Sequence, residues 1–483
     1  MKKYSVVCCL MAILATLALT GCTTKNVTFA GANTPVTGQT DAPFTFVGSA
    51  SLPVPQGSTD PLPLIGFDIS WVDAATHTYY LGAAQYAAVV TFDLNSLTSP
   101  SGLSTASFFG QQAGFAGSIS DATSTQGPDS NHPYEGGPNG VLVVGGTEVW
   151  AADGSFYNYM NAYPYGPTIS YSNDACNSSV KVINLSSNAV TPIYTNGCFE
   201  ADELSYDSDH NLVLVTNPEE DPSLVTNPNV GTPTSPFISL LSTTSKTLVA
   251  QIPFDGTNGS PDAVGGIEQS VYSSKMGYFY VAVPADGPTD LDPYGNPVNG
   301  AIAVIDPVAK AVVGKIALTT CAPSGMALGP DGQEVFLGCS SGTGPQVVSL
   351  KDGSMVASFP DSVPVPTDLN LEPYYGPMCD EVSYNSTLNE YFAACQFTYN
   401  NSGFGVIDAG TGLDASSIKF VQYVVDNTNG STALGAAHSI ASDPTTGAVI
   451  VPLPFGIPGT PECQSPGCLG VWAPEGSAVA KPY

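Results

Sequence analysis

The chain contains few charged residues, and very few of them are cations. Of its 483 residues only 11 are Lys or Arg, against 41 Asp or Glu, which gives a formal net charge of −30. Charged residues make up 11% of the chain, whereas soluble proteins average about a quarter. So acidic a chain lacks the basic side chains that neutralise phosphates, which excludes nucleic acid as a partner. A surface with few ionisable groups also changes little in charge as the pH falls, which favours tolerance of an acidic exterior.

The sequence also lacks long amphipathic helices and the common short catalytic motifs. Beyond its first 22 residues it contains no CxxC pair and no zinc-ligand spacing. It has no nucleophile elbow, phosphate loop or c-type haem motif either. These absences argue against a zinc site, an α/β-hydrolase triad and a nucleotide-dependent enzyme.

The longest apolar run lies at the N-terminus. Lys2 and Lys3 precede apolar residues 6–19, which are too few for a stable membrane span, and the run ends in the sequence LTGC. LTGC resembles a bacterial lipobox. The resemblance implies that residues 1–21 are a lipoprotein signal peptide and that a lipid on Cys22 anchors the protein to a membrane. Thr23 in place of Asp resembles the signal for passage to the outer membrane, so a cell-envelope location is expected. An ordinary signal peptide with a chance cysteine is the alternative.

The rest of the sequence predicts a tether followed by an all-β domain. Residues 22–43 are polar and interrupted by Pro and Gly, as in flexible linkers. From 44 to 483, short runs rich in Val, Tyr and Phe alternate with turns, for example TYYLGAA, LVLVTN, YFYVAV and AIAVID. Such runs at regular spacing are typical of β-strands in an all-β fold.

One unit of strand, tight turn and strand recurs along this domain. Its clearest copy lies in residues 300–360 and contains AIAVID, APSGMA and GPDG, and LVTN occurs at 214–217. These elements resemble the YVTN-type β-propeller repeat, a WD40-like architecture. Seven first turns can be aligned: WVDAATHT, VVGGTE, YDSDHN, YSSKMG, LGPDGQ, YNSTLN and SDPTTG. The sequence therefore predicts a seven-bladed β-propeller. FTFVGSASLPV at 44–54 is expected to supply the missing fourth strand of the last blade and so close the ring.

The residue about five positions before each turn falls where the innermost strand of a blade begins. These residues are Asp68, Asn139, Asp202, Glu268, Ser324, Asp380 and His438. Innermost strands line the central channel, so the seven are expected to form a ring at its mouth. The ring without Ser324 predicts a cation site, and oxygen ligands with one imidazole suit Ca²⁺, Mg²⁺ or Mn²⁺. The alternative is a water-filled channel with no ion. An alignment shifted by one residue would instead place Glu203 and Glu381 in the ring.

Long insertions fall mostly between the second and third strands of a blade, on the same side as the ring. The insertion of blade 2 carries a cluster of aromatic residues with polar tips, which suits contact with a protein or a glycan. They are Phe156, Tyr157, Tyr159, Tyr163 and Tyr165. The alternative is a self-packed cap over the channel.

Eight cysteines follow Cys22, and an even number in an oxidising compartment predicts disulfides. Their positions in the aligned blades predict four pairs: Cys176–Cys198, Cys321–Cys339, Cys379–Cys395 and Cys463–Cys468. All four would lie on the face that carries the insertions.

These features favour an extracytoplasmic, lipid-anchored binding or scaffold module. A divalent-metal-dependent hydrolase or lyase is the first alternative, because propeller lactonases hold Ca²⁺ at the channel mouth through Glu, Asn and Asp. In that resemblance His438 or a ring carboxylate would act as the base. An accessory subunit of a periplasmic redox complex is a second alternative, although no cofactor ligands are evident.

Overall fold

Seven four-stranded antiparallel sheets contain all the named strands of the described residues. The computed structural model describes residues 43–54, 64, 66–99, 101–115, 137–154, 178–197, 200–218, 235–293, 295–342, 344–359, 378–396, 403–425, 438–454, 463, 467–477 and 479. All of them belong to one unit that spans Thr40–Tyr483. The sheets are the blades of a β-propeller, as the repeats predict.

Each blade is a meander of four strands, numbered here along the chain. The first strand, β1 (Phe44–Ser51), belongs to the last blade. Blades 1 to 3 comprise β2 (Ser70–Asp73), β3 (Thr78–Ala83), β4 (Ala88–Asp93) and β5 (Ser107–Phe109); β6 (Val141–Val144), β7 (Glu148–Asp153), β8 (Ser179–Asn184) and β9 (Val190–Tyr194); and β10 (Leu204–Asp207), β11 (Leu212–Asn217), β12 (Phe237–Ser242) and β13 (Thr247–Pro253).

The remaining blades follow the same order. Blades 4 to 7 comprise β14 (Ser270–Ser273), β15 (Tyr278–Val283), β16 (Ala301–Asp306) and β17 (Ala311–Ala317); β18 (Cys321–Leu328), β19 (Glu334–Gly342), β20 (Gln346–Ser349) and β21 (Met355–Ser358); β22 (Met378–Asn385), β23 (Glu390–Gln396), β24 (Gly403–Asp408) and β25 (Lys419–Val425); and β26 (Ala441–Ser442), β27 (Val449–Leu453), β28 (Cys468–Pro474) and β1. The described helical segments are short 3₁₀ turns at Ala84–Tyr86, Leu94–Thr98, Gln111–Ala113 and Pro288–Asp290. No helix in the described part of the chain is long and apolar enough to cross a membrane.

The second and third strands of a blade are buried along most of their length and are mainly apolar, because neighbouring blades cover both of their faces. In blade 3 the strand LVLVTN (β11) is buried at every position, and FISLLS (β12) is buried at all but the last. The outermost strand β13 is mostly exposed or half-buried. This layering explains why the sequence shows short apolar runs rather than a regular alternation.

The turn between the first two strands is stabilised by its own side chains. In blade 3, Asp207 Oδ1 accepts hydrogen bonds from the N–H groups two and three residues further on, and Asn211 adopts φ 57°. Blade 6 repeats this with Asn385 as the acceptor and Asn389 at φ 59°. Asp and Asn favour such turns because their short side chains bond to nearby backbone and tolerate left-handed conformations. The turn sequences therefore mark the blades.

The hydrophobic core is divided among the blade interfaces. The described residues form seven clusters of buried apolar side chains, and each cluster lies between two neighbouring blades. One joins blade 7 to blade 1, so the ring is closed by packing as well as by hydrogen bonds.

The closing strand is the one that the sequence predicts. β1 pairs antiparallel with β28, from Phe44 opposite Pro474 to Ser51 opposite Cys468. Phe44 is 7% exposed and packs edge-on against Phe392 of blade 6, with ring centroids 5.4 Å apart. The N-terminal strand therefore holds blade 7 against blade 6.

Three of the predicted disulfides are present: Cys321–Cys339, Cys379–Cys395 and Cys463–Cys468. The first two join the inner two strands of blades 5 and 6 rather than the long loops. Disulfides are typical of oxidising compartments, which indicates an extracytoplasmic location. The predicted pair Cys176–Cys198 and the predicted lipid-bearing Cys22 lie outside the described residues.

A fully buried carboxyl group lies between blades 5 and 6, at the end of the inner strands opposite to the predicted ring. Glu334 is 0% exposed, and Gly329 leaves room for both its carboxyl group and the Tyr391 hydroxyl, since a Cβ there would collide with each. Burial, together with the neighbouring Asp331, raises the pKa of Glu334 to about 8. The native protein therefore holds this side chain as a neutral acid at neutral pH.

We expect Phe44→Ala to lower the free energy of unfolding by about 3–5 kcal/mol, the usual cost of truncating a buried Phe. The matched control is Phe46→Ala on the same strand, because Phe46 is 36% exposed. Its loss should be about 1 kcal/mol. Urea unfolding followed by circular dichroism measures both, and equal losses would contradict the role given to β1 in ring closure.

We expect the stability of the wild-type protein to decrease as the pH rises from about 4.5 to about 8, the unfolded and folded pKa values of Glu334. A raised acid pKa favours the native state below the unfolded value, and this advantage is lost as the pH rises through the folded value. Between pH 4.5 and pH 7 this effect lowers the free energy of unfolding by up to about 3 kcal/mol, and Glu334→Gln should abolish that decrease. Thermal unfolding across this pH range in chelator, with exposed Glu475→Gln as control, measures it. Parallel curves for all three proteins would contradict the expectation.

Candidate functional site

The residues predicted to form the ring occupy equivalent places in the first four blades. Each lies two positions before the innermost strand, and its backbone N–H donates to a carbonyl on the second strand of its own blade. The bonds are Asp68 to Gly82 (3.1 Å), Asn139 to Ala152 (3.0 Å), Asp202 to Thr216 (2.9 Å) and Glu268 to Ala282 (3.0 Å). In these four blades the aligned residues therefore occupy equivalent backbone positions.

A cavity of about 370 Å³ lies at this end of the inner strands. Six of the seven aligned residues line it: Asp68, Asp202, Glu268, Ser324, Asp380 and His438. Glu200, Glu203 and Glu381 add three more carboxyl groups, and Pro218, Pro284 and Pro297 form an apolar part of the wall on the side of blades 3 and 4. Among the described lining residues His438 is the one basic side chain.

His438 lies between two carboxylates from different blades. Its Nε2 is 2.9 Å from Asp68 Oδ1 in blade 1, and its Nδ1 is 2.5 Å from Asp380 Oδ2 in blade 6. Burial alone would lower the pKa of His438, but the charges and hydrogen bonds of Asp380 and Asp68 outweigh it and hold the pKa well above its usual value. His438 is therefore an imidazolium that donates from both ring nitrogens. In this state neither nitrogen has a lone pair with which to bind a metal or accept a proton.

The side of the cavity formed by blades 3 and 4 brings three carboxyl groups together. Carboxyl oxygens of Asp202, Glu203 and Glu268 lie within 4.8 Å of one another. Asp202 and Glu203 are only 6% and 3% exposed, and the atoms Asp202 Oδ1 and Glu203 Oε2 accept no hydrogen bond within the described structure. Buried carboxyl oxygens normally have partners, so this arrangement fits a ligand that the protein atoms do not supply.

Protons are one way to relieve the repulsion in this part of the cavity. Burial is the main cause that raises the pKa of Asp202, Glu203 and Glu381 well above their usual values. Neighbouring carboxylates raise these pKa values further, Asp68 acting on Asp202 and Glu381 acting on Glu203. Gln269 Nε2 donates to Glu381 Oε2 at 2.7 Å and holds that side chain in place. Protons and cations therefore compete for the same oxygens.

Asn139 is the member of the predicted cation site that does not line the cavity. It is 4% exposed, and its Nδ2 donates to Glu200 Oε2. It therefore orients a carboxylate that does line the cavity. Glu200 is absent from the predicted ring because it lies two residues before the aligned position. The sequence indicates it only through the acidic residues that follow it closely, Asp202 and Glu203.

The one-residue ambiguity of the alignment has a structural explanation. Glu203 follows Asp202, and Glu381 follows Asp380, and all four line the cavity. Both members of each Asp-Glu pair therefore line the cavity, whichever of the two is aligned. The role of Gln269 could not be predicted from the sequence, because it depends on a contact with Glu381 in blade 6.

The predicted aromatic contact surface lies outside the described residues. This applies to Phe156, Tyr157, Tyr159, Tyr163 and Tyr165. The insertion of blade 4, residues 284–300, is described apart from residue 294, and its carboxylates bond within this loop, to the preceding segment and to a nearby lysine. Asp286 Oδ1 accepts from the Asp262 N–H and its Oδ2 from Lys315 Nζ, while Asp292 Oδ2 accepts from Asn296 Nδ2.

The comparisons with known proteins show the fold. The sequence matches no protein-family profile and no curated protein. The solved WD40 repeats of RRP9 are 7% identical, with a TM-score of 0.51, and the match covers 89% of this chain and 99% of that one. The WD40 domain of Neurospora crassa Pan2 is 11% identical, with a TM-score of 0.48, and the match covers 90% of this chain and 97% of that one. Hydrazine synthase of Kuenenia stuttgartiensis is also 11% identical, with a TM-score of 0.48, and the match covers 82% of this chain and 95% of that one. The chain is a seven-bladed β-propeller, and identities this low show the shared fold alone.

We expect His438→Ala to destabilise the metal-free protein by about 2 kcal/mol. Removing one partner of a buried ion pair costs about 3–5 kcal/mol, and water in the cavity reduces this value. The triple variant Asp68→Asn/Asp380→Asn/His438→Ala should recover most of the loss, because no charge is left unpaired. Chemical unfolding in chelator measures both variants. A triple variant less stable than His438→Ala alone would contradict the pairing.

Proposed function

We propose that this protein is an extracytoplasmic binding or scaffold propeller whose acidic cavity binds a divalent cation. The observation that carries the proposal is the convergence of Asp202, Glu203 and Glu268, in which Asp202 Oδ1 and Glu203 Oε2 are buried and accept no hydrogen bond. A cation placed among these three carboxyl groups would compensate their charge and give Asp202 Oδ1 and Glu203 Oε2 a partner.

The ligand chemistry favours Ca²⁺, with Mg²⁺ and Mn²⁺ as alternatives. Calcium accepts six to eight oxygen ligands in flexible geometry, and water can supply those that the protein does not. We assign Asp202, Glu203 and Glu268 as the protein ligands. Asp68 and Asp380, expected as ligands from the sequence, are assigned instead to charge compensation with His438, and Asn139 to the support of Glu200.

The proposed setting is the bacterial cell envelope. The LTGC sequence supports a lipid anchor on Cys22, with residues 22–43 as a tether and an outer-membrane location. The disulfides support the oxidising environment that this location provides. A protein or a glycan is the proposed partner, and the aromatic insertion of blade 2, Phe156 to Tyr165, is the proposed contact surface.

A cation-dependent hydrolase or lyase is the second candidate, and the size of the cavity favours it. Ligand pockets typically measure about 300–1,000 Å³, and the cavity of about 370 Å³ falls within this range. A cation at Glu268 would polarise a substrate carbonyl. His438 is unsuited to the role of base that the sequence predicts, because both of its nitrogens donate to carboxylates.

We expect the purified protein to retain a stoichiometric divalent ion and to melt at a higher temperature in Ca²⁺ than in chelator. Ligand at about 100 times its Kd adds about 2.7 kcal/mol to stability. The shift should disappear in Asp202→Asn/Glu268→Gln. It should persist in Asp290→Asn/Asp292→Asn, which removes two carboxylates from the blade 4 loop. Elemental analysis and differential scanning fluorimetry measure these outcomes. No retained ion and no calcium shift in the wild-type protein would reject the cation site.

The enzymatic candidate has a separate test. If it is correct, hydrolysis of small lactones or esters should require Ca²⁺, be lost in Glu268→Gln and persist in the blade 4 loop variant. Calcium binding without hydrolysis would leave the binding module as the function.

A further inference from the structure

The innermost strands of blades 5 and 6 are interrupted by bulges where they reach the cavity. In blade 6 the register passes from Cys379 opposite Cys395 to Val382 opposite Ala393, so Asp380 and Glu381 together oppose a single residue. Blade 5 has a similar interruption around Pro323. The named inner strands of the other five blades keep an unbroken register. In blades 1 to 4 the same pairing of two residues with one falls just before the named strand: in blade 3, for example, Thr216 accepts from the Asp202 N–H and donates to the Glu203 carbonyl. A bulge redirects side chains away from the ladder.

The blade 6 bulge directs both of its carboxylates to other blades. Asp380 Oδ2 binds His438 Nδ1 in blade 7, and the Glu381 N–H donates to the His438 carbonyl at 3.3 Å. The Glu381 side chain accepts from Gln269 in blade 4 and lies close to Glu203 in blade 3, whose pKa, already raised by burial, its charge raises further. The bulge therefore joins the side of the cavity where His438 pairs with Asp68 and Asp380 to the side with the proposed cation ligands.

Blade 5 supports the bulge from the other side through two glycines. A Cβ at Gly325 or at Gly338 would collide with the carbonyl oxygen of Asp380. The backbone of the bulge is thus in direct contact with the backbone of blade 5, and a side chain at either glycine would displace it.

The bulge brings acidic side chains close together. Its carboxyl groups lie near those of Asp68 and Glu203, which adds to burial in raising the pKa of Glu381 and of Glu203. The Cys379–Cys395 disulfide joins the two strands at the residue pair immediately before the bulge, and both cysteines are 0% exposed. It therefore lies where a covalent link resists displacement of the bulge most directly.

We propose that the Cys379–Cys395 disulfide is a positioning element of the acidic site, which holds the bulge so that Glu381 lies against Glu203 and Asp380 against His438. The proposal rests on the cation site described above. It assigns to this disulfide a function in ligand affinity, beyond the general stabilisation that any disulfide provides.

The test is a double-mutant cycle read by calcium affinity in isothermal titration calorimetry. Cys379→Ala/Cys395→Ala should weaken Ca²⁺ binding about tenfold, as loss of supporting contacts around a metal site typically does. In the Glu381→Gln background the same cysteine replacements should cause no further loss, because the group that they position is already changed. Cys463→Ala/Cys468→Ala is the matched control, since that pair lies outside the bulge, and its affinity should equal the wild-type value. Unchanged affinity, or losses that multiply, would overturn the proposal.

Two additional measurements keep the proposal testable if the cysteine variant folds poorly or if no calcium binds. Gly338→Ala displaces the Asp380 carbonyl without altering a cysteine, and it should weaken calcium binding to a similar extent. Hydrogen exchange at the Glu381 amide, followed by NMR in chelator, needs no cation. It should become at least about tenfold faster in Cys379→Ala/Cys395→Ala and stay unchanged in the Cys463→Ala/Cys468→Ala control, as expected for local rather than global opening. A wild-type protein that binds no calcium rejects the cation site, whereas equal exchange rates in all proteins reject the positioning role.

Discussion

Closure of the ring by β1 is the constraint on which the rest of the structure depends. Blade 7 obtains three strands from the C-terminal part of the chain, and the N-terminal β1 completes it. Each of the seven hydrophobic clusters needs two blades, so an open ring would leave the cluster between blades 7 and 1 without one of its walls. Asp68 and His438 are separated by 370 positions in the sequence and meet at 2.9 Å because the ring closes.

Closure has an electrostatic consequence for the centre of the ring. The innermost strands converge, so acidic residues at equivalent positions are brought together around one cavity. On one side, the imidazolium of His438 compensates Asp68 and Asp380. On the other, Asp202 and Glu203 have no basic neighbour among the described lining residues. Repulsion there is relieved by protons or by a cation, and both act on the same oxygens.

The fold could be predicted from the sequence because its signals are local. The tight turns depend on residues such as Asp207 and Asn385, which bond to backbone two or three positions away. The Cys379–Cys395 pairing follows from its position across one hairpin. The site was predictable only in part. Asp202 and Asp380 occupy repeated positions, whereas Glu381 was found only as a possible shift of the alignment.

The sequence by itself determined the number of blades, the order of the strands and the closing strand. These features depend on turn chemistry, apolar runs and spacing, all of which are properties of neighbouring residues. The tertiary structure decided which carboxyl groups meet, which side chains hold them and which carboxylates are paired with the imidazolium of His438. The contact of Gln269 with Glu381 spans 112 positions and joins blade 4 to blade 6. The charge of His438 depends on carboxylates from two other blades. Such interactions depend on distances between blades, and those distances arise only when the ring closes.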